Sequence, residues 1–326
     1  MRLLGLLVLA LFLLEILYRY QVVDTYRREW KHLNPRIAAG KEIASGGVLV
    51  LGDSFTAAPE NWVDRLRRRH PELPIWNAAV PGTGIRQANF LAPRRLAATQ
   101  PEQFIYQIYV GNDLFDLRFP LNWEDIGGWR NLYWGLANRF RGLGWLNYAL
   151  GQFRAAPPPS GTTDGKNLRR PFAPNRYSPR ARLYLKAEPG LIENSVLVNG
   201  KRAADFEEYL GFLDELVRRA EDEAAAIYLL VIPHCAQVHA RYTASMRQLG
   251  AEITDEKALR AASYPFLRRI EDHFAGQPQV QIVNALPVLR DLEACGTAAY
   301  FTNDIHLSPA GQQAVADLMD EQLGER

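Results

Sequence analysis

Five short apolar runs alternate with longer amphipathic stretches along most of this chain, and the alternation limits the folds open to it. The apolar runs are Val48–Leu51, Ile75–Val80, Phe104–Val110, Ile227–Ile232 and Val280–Val283. The stretches that predict helices are Trp62–Arg69, Ile85–Ala97, Ala204–Glu223, Tyr264–Phe274 and Pro309–Leu323. Strands that alternate with helices favour a parallel sheet, because each helical crossover returns the chain to the same end of the sheet. The sequence therefore predicts a three-layer α/β/α protein with a parallel sheet of about five strands.

Composition excludes several classes of function. The 326 residues are 48% hydrophobic and 23% charged, which suits one α/β domain with an insertion. Lys and Arg number 38 against 36 Asp and Glu, so the net charge of +2 does not favour nucleic acid as a partner. Cys235 and Cys295 lack the spacing of metal ligands, so no zinc-type site is expected. A dinucleotide cofactor is not expected either, because the glycines at Gly82 and Gly84 lack the third glycine of the fingerprint and no acidic residue ends the next strand. A single disulfide and two separate thiols both remain open.

Residues 1–22 predict a membrane anchor. Leu3 to Tyr18 is apolar apart from Gly5 and Glu15, and as a helix it spans about 24 Å of a hydrocarbon core that is about 30 Å thick. No small-x-small cleavage site follows, which favours an uncleaved anchor over a signal peptide. Residues 23–45 are then a juxtamembrane linker. Their basic residues, by the positive-inside rule alone, would place the rest of the chain in the cytoplasm, although long domains are exported largely regardless of such charges.

The segment 114–202 breaks the alternation of strands and helices. It contains four tryptophans, Trp123, Trp129, Trp134 and Trp145, and the run Pro157–Pro159. An aromatic insertion after the third strand stands where open α/β sheets bind ligands, which favours a lid or a substrate wall. The tryptophans are equally consistent with the small core of an inserted subdomain. Residues 156–180 are typical of a linker within the insertion.

Chemically capable residues follow three of the apolar runs. Ser54 comes directly after the first run, in the turn Gly52-Asp53-Ser54, where a nucleophile would be exposed at the sheet edge. Gly82 follows the second run and can present a backbone N–H to an oxyanion, and Asn112 follows the third run and can donate from its side chain. Each motif alone is also an ordinary turn.

A histidine with a nearby acid lies close to the carboxyl terminus, in Asn303-Asp304-Ile305-His306. Such a pair supplies a general base and a carboxylate that orients it. Ser308-Pro309 then predicts the start of a helix. An isolated Asp-x-His is more often an ordinary pair of polar residues on the protein surface. Four motifs that occur in one order along the chain are, however, not explained as separate turns.

Together these motifs resemble the SGNH (GDSL-like) serine hydrolases, whose four named residues match Ser54, Gly82, Asn112 and His306. The resemblance covers residues 46–326, with 114–202 as the unmatched part. It implies a flavodoxin-like fold, no metal, and an oxyanion hole built from the Ser54 and Gly82 backbone N–H groups and the Asn112 side chain.

One position departs from the family pattern. Most members place the acid three residues before the histidine, where this chain has Asn303. The shorter spacing to Asp304 resembles the alginate O-acetylation branch, so we expect Asp304 to orient His306. His234, which follows the fourth run, and the neighbours Asp53 and Asp113 are further candidates to line the substrate crevice.

The resemblance implies a Ser-His-Asp esterase that removes small O-acyl groups, foremost acetyl, from a glycan or envelope component. An O-acyltransferase acting on an exported polysaccharide uses the same residues, and a lipase or lysophospholipase is favoured if the insertion is an apolar lid. A catalytically silent scaffold is the remaining alternative. The predicted membrane anchor and the resemblance to the alginate O-acetylation branch together favour an extracytoplasmic location for the catalytic domain.

Overall fold

The chain forms two compact units, Met1–Arg28 with Arg118–Thr162, and Glu29–Leu117 with Thr163–Arg326. The computed structural model describes residues 2–22, 24, 26–117, 132, 136–137, 139–144, 146, 168–224 and 226–324. All candidate site residues lie in the second unit.

The first unit begins with helix α1, Arg2–Arg19. Glu15 is only 8% exposed, and its carboxylate accepts a hydrogen bond of 3.0 Å from the Gly142 N–H. The rings of Phe12 and Phe140 meet edge to face at 6.2 Å. In the part of the chain that the structure describes, no helix is both long enough and apolar enough to cross a membrane. The predicted membrane-spanning helix is thus not found among the described residues.

The remaining described elements follow in chain order. The strands are β1 Val48–Leu51, β2 Ile75–Asn77, β3 Gln103–Tyr109, β4 Ala226–Ile232 and β5 Val280–Asn284. The helices before β4 are α2 Arg27–Leu33, α3 Pro35–Ala38, α4 Ser54–Ala57, α5 Trp62–Arg69, α6 Ile85–Thr99, α7 Asp113–Asp116, α8 Pro179–Ala187, α9 Leu191–Leu197 and α10 Lys201–Glu221, with a 3-10 turn at Pro174–Arg176. The later helices are α11 Cys235–Val238, α12 Ala240–Gln248, α13 Glu256–Leu259, α14 Pro265–Phe274, α15 Leu286–Ala294 and α16 Pro309–Gly324.

The sheet confirms the predicted parallel architecture. Its order is β2-β1-β3-β4-β5 and every pairing is parallel, which is the flavodoxin-like order. Strand β1 is buried along its whole length, as expected for an inner strand of branched apolar residues. Helix α6 packs beside α10, and α5 beside α16. Since all strands run the same way, their carboxyl ends share one edge.

The predicted insertion is more regular than its sequence suggested. Helices α8 and α9 and the start of α10 lie within 114–202, because apolar residues such as Leu191, Ile192 and Val196 recur at helical spacing and are buried. The 3-10 turn and the first residues of α8 fall in the predicted linker 156–180. The four tryptophans and the triple proline lie outside the described residues.

Substitution of glycine by alanine should have opposite effects on stability at two helical positions. A Cβ on Gly311, in the first turn of α16, would lie 2.1 Å from the Ala299 carbonyl oxygen, whereas one on Gly211 in α10 would meet nothing within 4 Å. We expect Gly311→Ala to lower the free energy of unfolding by about 1–3 kcal/mol, because the added methyl group would overpack this contact. Gly211→Ala should raise it by about 0.5–1 kcal/mol. Urea denaturation measures both, and equal effects would contradict the predicted close contact.

Candidate active site

Ser54 lies at the start of α4, immediately beyond the carboxyl end of β1. The turn is fixed by Asp53, whose carboxylate caps α4 by accepting the Phe55 N–H at 2.9 Å. The Asp53 N–H in turn donates to Gln107 Oε1 on β3 at 3.1 Å. A Cβ on Gly52 would lie 2.7 Å from that same Gln107 oxygen, so the turn requires a very small residue. These bonds leave the Ser54 side chain half-buried at the sheet edge.

His306 is brought to Ser54 from the far end of the chain. The Ser54 Oγ and His306 Nε2 atoms are 2.8 Å apart. On its other side, the His306 Nδ1 contacts Asp304 Oδ1, and that carboxylate oxygen also accepts the His306 backbone N–H at 3.0 Å. The His306 and Asp304 side chains are only 19% and 13% exposed. The three side chains therefore form one continuous line, in which Nδ1–H donates to Asp304 and the Ser54 hydroxyl donates to Nε2.

The loop that carries His306 is tied down on both sides. Phe301 N–H donates to the His306 carbonyl at 3.0 Å, and Ser308 N–H donates to the Ala299 carbonyl at 2.9 Å. The Ser308 hydroxyl also accepts the Gly311 N–H, which caps α16 as the Ser308-Pro309 signal predicts.

The loop is also held by a buried carboxylate, Glu293, which sequence analysis missed. Glu293 on α15 accepts the Ala299 N–H at 2.6 Å and the Tyr242 hydroxyl at 2.7 Å. The same Tyr242 hydroxyl accepts the Tyr300 N–H at 3.1 Å. Arg241 supplies the compensating positive charge. A rigid loop keeps the imidazole in reach of Ser54 without further ordering cost.

Asn303, three residues before His306, lies in a different environment from Asp304. It is fully buried, its Oδ1 accepts the Ala173 N–H at 2.8 Å, and its Nδ2 donates to the Pro171 carbonyl at 3.1 Å. Its side chain therefore holds residues 171–173 in place, whereas the Asp304 carboxylate contacts the His306 ring.

The two other strand-end candidates lie on adjacent loops. Gly82 has a φ of +72°, a left-handed conformation that glycine adopts without strain. Its loop is joined to the serine turn because the Val80 N–H donates to the Gly52 carbonyl at 3.0 Å. Asn112 is 8% exposed and donates from Nδ2 to Asp116 Oδ2 at 2.6 Å. That bond uses one of the two hydrogens of the Asn112 amide.

Asp116 was missed from the sequence. The signal available was its spacing of four residues from Asn112, which brings two side chains together on one helical turn.

Two of the residues predicted to line the substrate crevice, Asp113 and Asp53, are buried. Asp113 is 2% exposed, and its Oδ2 accepts the Tyr109 N–H at 3.2 Å and the Tyr209 hydroxyl at 3.0 Å. Burial, and then the neighbouring carboxyl groups of Asp53 and Asp116, raise the pKa of Asp113 well above its usual range. Asp53 is 3% exposed and occupied with its cap. Both carboxyl groups support the turns of the site from within the core.

His234, the third predicted lining residue, borders a small cavity that Asn112 also lines. It is 4% exposed, its Nδ1 accepts the Ala236 N–H at 3.1 Å, and its ring stacks on Tyr109. The neutral ring must therefore carry its proton on Nε2. Burial lowers the pKa of His234 to about 3.

The described residues contain no cluster of three or more His, Cys, Asp or Glu side chains that could hold a metal ion. Cys235 and Cys295 are both free thiols, the first buried and the second exposed.

No protein-family model and no curated protein matches the chain. Among solved structures, it is similar to an α/β hydrolase from the metagenome of Lake Arreo, Spain (18% identity, 86% of this chain and 95% of that one, TM-score 0.40). It is also similar to a catalytic mutant of an acetylxylan esterase from Geobacillus stearothermophilus (14% identity, 87% and 97%, TM-score 0.42). A third is a lipolytic G-D-S-L family member from Veillonella parvula (8% identity, 86% and 100%, TM-score 0.41). These likenesses are too weak to carry a functional argument, which rests on the geometry of the site.

The buried His234 predicts a pH dependence of stability. In the unfolded chain the pKa of His234 is about 6.5, so below that pH the unfolded chain binds a proton that the folded chain does not. The free energy of unfolding is therefore highest above about pH 6.5 and decreases as the pH falls. In wild type the free energy of unfolding should decrease between about pH 6 and pH 4. We expect His234→Asn to reduce the slope of that decrease by up to about 1.4 kcal/mol per pH unit.

Denaturant unfolding across that pH range measures the slope. The matched control is His239→Asn, which removes a second histidine N-cap from a half-buried position at the start of α12. Identical slopes for wild type and His234→Asn would contradict the prediction.

Proposed function

We propose that this protein is a serine hydrolase of carboxylic esters, with Ser54 as nucleophile, His306 as general base and Asp304 as the group that orients the base. The observation that carries the proposal is the unbroken line from the Ser54 hydroxyl through both ring nitrogens of His306 to the Asp304 carboxylate. A serine hydroxyl is a weak nucleophile unless an adjacent base removes its proton. The described geometry supplies that base at hydrogen-bond distance.

The reaction proceeds in two steps. In the first, His306 Nε2 takes the Ser54 proton as Oγ attacks the ester carbonyl carbon, and the imidazolium then protonates the departing alcohol as the C–O bond breaks. In the second, water gives its proton to Nε2 and attacks the acyl-enzyme, which releases the carboxylic acid and restores the Ser54 hydroxyl. Asp304 keeps Nδ1 protonated and stabilises the imidazolium in both steps.

The oxyanion of each tetrahedral intermediate would be held by the backbone N–H groups of Ser54 and Gly82 and by the Asn112 amide. The loops that carry the three residues follow adjacent strands β1, β2 and β3. Loss of one such donor typically costs about 2.7–4 kcal/mol of transition-state stabilisation. Asp116 acts as a positioning residue, because it fixes the plane of the Asn112 amide.

For the substrate, we propose small O-acyl esters of a glycan or envelope component. Support comes from the acid two residues before the histidine, the spacing that resembles the alginate O-acetylation branch. An O-acyltransferase is the alternative, in which a sugar hydroxyl replaces water in the second step. The extracytoplasmic location stays a prediction.

Replacement of the nucleophile tests the proposed activity. Ser54→Ala should reduce hydrolysis of p-nitrophenyl acetate to background and leave the unfolding midpoint nearly unchanged, because a half-buried hydroxyl contributes little packing energy. Ser45→Ala, at an exposed serine near β1, is the matched control and should retain full activity. Activity of Ser54→Ala above a few per cent of wild type, with contamination excluded, would refute the nucleophile.

A second comparison tests the departure from the family pattern. Asp304→Asn should lower kcat by up to about ten-thousand-fold, because only a carboxylate stabilises the His306 imidazolium as it forms. Asn303→Ala should mainly lower stability, by about 1–3 kcal/mol per unsatisfied buried group, since it fastens residues 171–173. Steady-state kinetics and thermal unfolding of both variants separate the effects. The opposite pattern, with Asn303→Ala the more damaging to kcat, would show that the orienting residue is misassigned.

A further inference from the structure

Helix α4, which carries Ser54 at its first position, is too short to satisfy its own backbone. It spans 4 residues, and the last four carbonyl groups of an α-helix have no partner within the helix. Side-chain amides from two other elements bind these carbonyl groups. Asn77 Nδ2, at the end of β2, donates to the Thr56 carbonyl at 2.9 Å. Gln312 Nε2, on α16, donates to the Phe55 carbonyl at 3.1 Å.

The Gln312 amide binds a second backbone group as well. Its Oε1 accepts the N–H of Trp62, the first residue of α5, at 2.9 Å. Gln312 is 4% exposed, so both bonds are made in the core. Their partners lie 250 and 257 positions earlier in the chain. One buried amide therefore joins the helix that follows His306 to the helix that carries Ser54.

Short links connect this amide to both members of the reacting pair. On the side of the base, the Gln312 N–H donates to the carbonyl of Ser308, two residues after His306, at 2.8 Å. On the side of the nucleophile, Phe55 follows Ser54 directly and is fully buried. The Phe55 ring also packs on the His306 ring, with 5.0 Å between the centroids. A displacement of α16 relative to α4 would therefore change the distance from the serine to the histidine.

We propose that Gln312 is a positioning residue, whose amide holds α16 against α4 and thereby fixes the separation of 2.8 Å between Ser54 Oγ and His306 Nε2. The inference rests on the proposed esterase activity and adds to it a residue that acts through the backbone of α4. A side-chain amide suits this role because it offers a donor and an acceptor together. Removal of that amide would leave two buried backbone groups without this partner.

Kinetics of Gln312→Met test the proposal on the full-length protein. Methionine is similar in length but cannot donate to the Phe55 carbonyl. For p-nitrophenyl acetate, kcat and kcat/KM should fall by the same factor, up to about a hundredfold, because a misplaced base weakens the transition state and not the binding of the ester. Labelling of Ser54 by a phosphonate should slow in parallel.

The matched control is Gln313→Met, at the next position of α16. Gln313 is half-buried, and its Oε1 accepts a bond of 2.7 Å from Arg65 on α5. Its replacement removes a bond between α16 and α5 but none to α4, so kcat should stay at the wild-type value.

Gln312→Glu supplies a readout that a loss of stability alone would not give. A neutral carboxyl group can accept the Trp62 N–H and donate to the Phe55 carbonyl, whereas an ionised one has no hydrogen to donate. Burial raises the pKa of a carboxyl group, so the neutral form persists above the usual range. The ratio of the kcat of this variant to that of wild type should therefore be highest near about pH 5 and fall towards about pH 8. Near-UV circular dichroism at each pH checks that the samples are folded.

Three results would overturn the positioning role while the esterase stands. They are a wild-type kcat in Gln312→Met, an equal loss of kcat in Gln313→Met, and a kcat ratio for Gln312→Glu that does not vary with pH. If Gln312→Met does not fold, the pH dependence of Gln312→Glu decides. A wild type that hydrolyses no ester and is not modified at Ser54 by a phosphonate would instead refute the proposed function, and this inference with it.

Discussion

Parallel pairing of β1 with both β2 and β3 is the constraint on which the site depends. Because the three strands run the same way, the turns that follow them meet at one edge of the sheet and bring Ser54, Gly82 and Asn112 together. Backbone bonds beyond the strands extend this order, since Val80 N–H reaches the Gly52 carbonyl and Asp53 N–H reaches Gln107.

The histidine loop reaches the same edge by a different mechanism. It follows no strand, and its position depends on buried polar contacts: Glu293 and Tyr242 hold the backbone at 299–300, and Asn303 fastens the neighbouring segment 171–173. Burial of such groups is costly unless each is paired. The paired network gives a loop rigid enough to hold His306 at 2.8 Å from a serine 252 positions away.

Much of this arrangement could be predicted because it is local in sequence. Each strand is a short apolar run, and Ser54, Gly82 and Asn112 each lie in the segment after one, so the type and order of these elements were predictable; β1 and α5 agree with the prediction to the residue. Glu293 and Tyr242 were not predictable, because their roles arise from tertiary contacts, whereas the bond of Asp116 to Asn112 is local and its spacing was the available signal. Helices α8 and α9 were not predicted, because proline and glycine residues flank them in the sequence.

Covalent labelling of Ser54 tests the central claim most directly. An intact folded sample treated with a fluorophosphonate, digested and mapped by mass spectrometry, should carry one equivalent of phosphonate on the peptide that contains Ser54. Labelling should be slowed strongly in His306→Ala, because the hydroxyl is then no longer activated. No modification of folded wild type, or modification of another serine at an equal rate, would contradict the account.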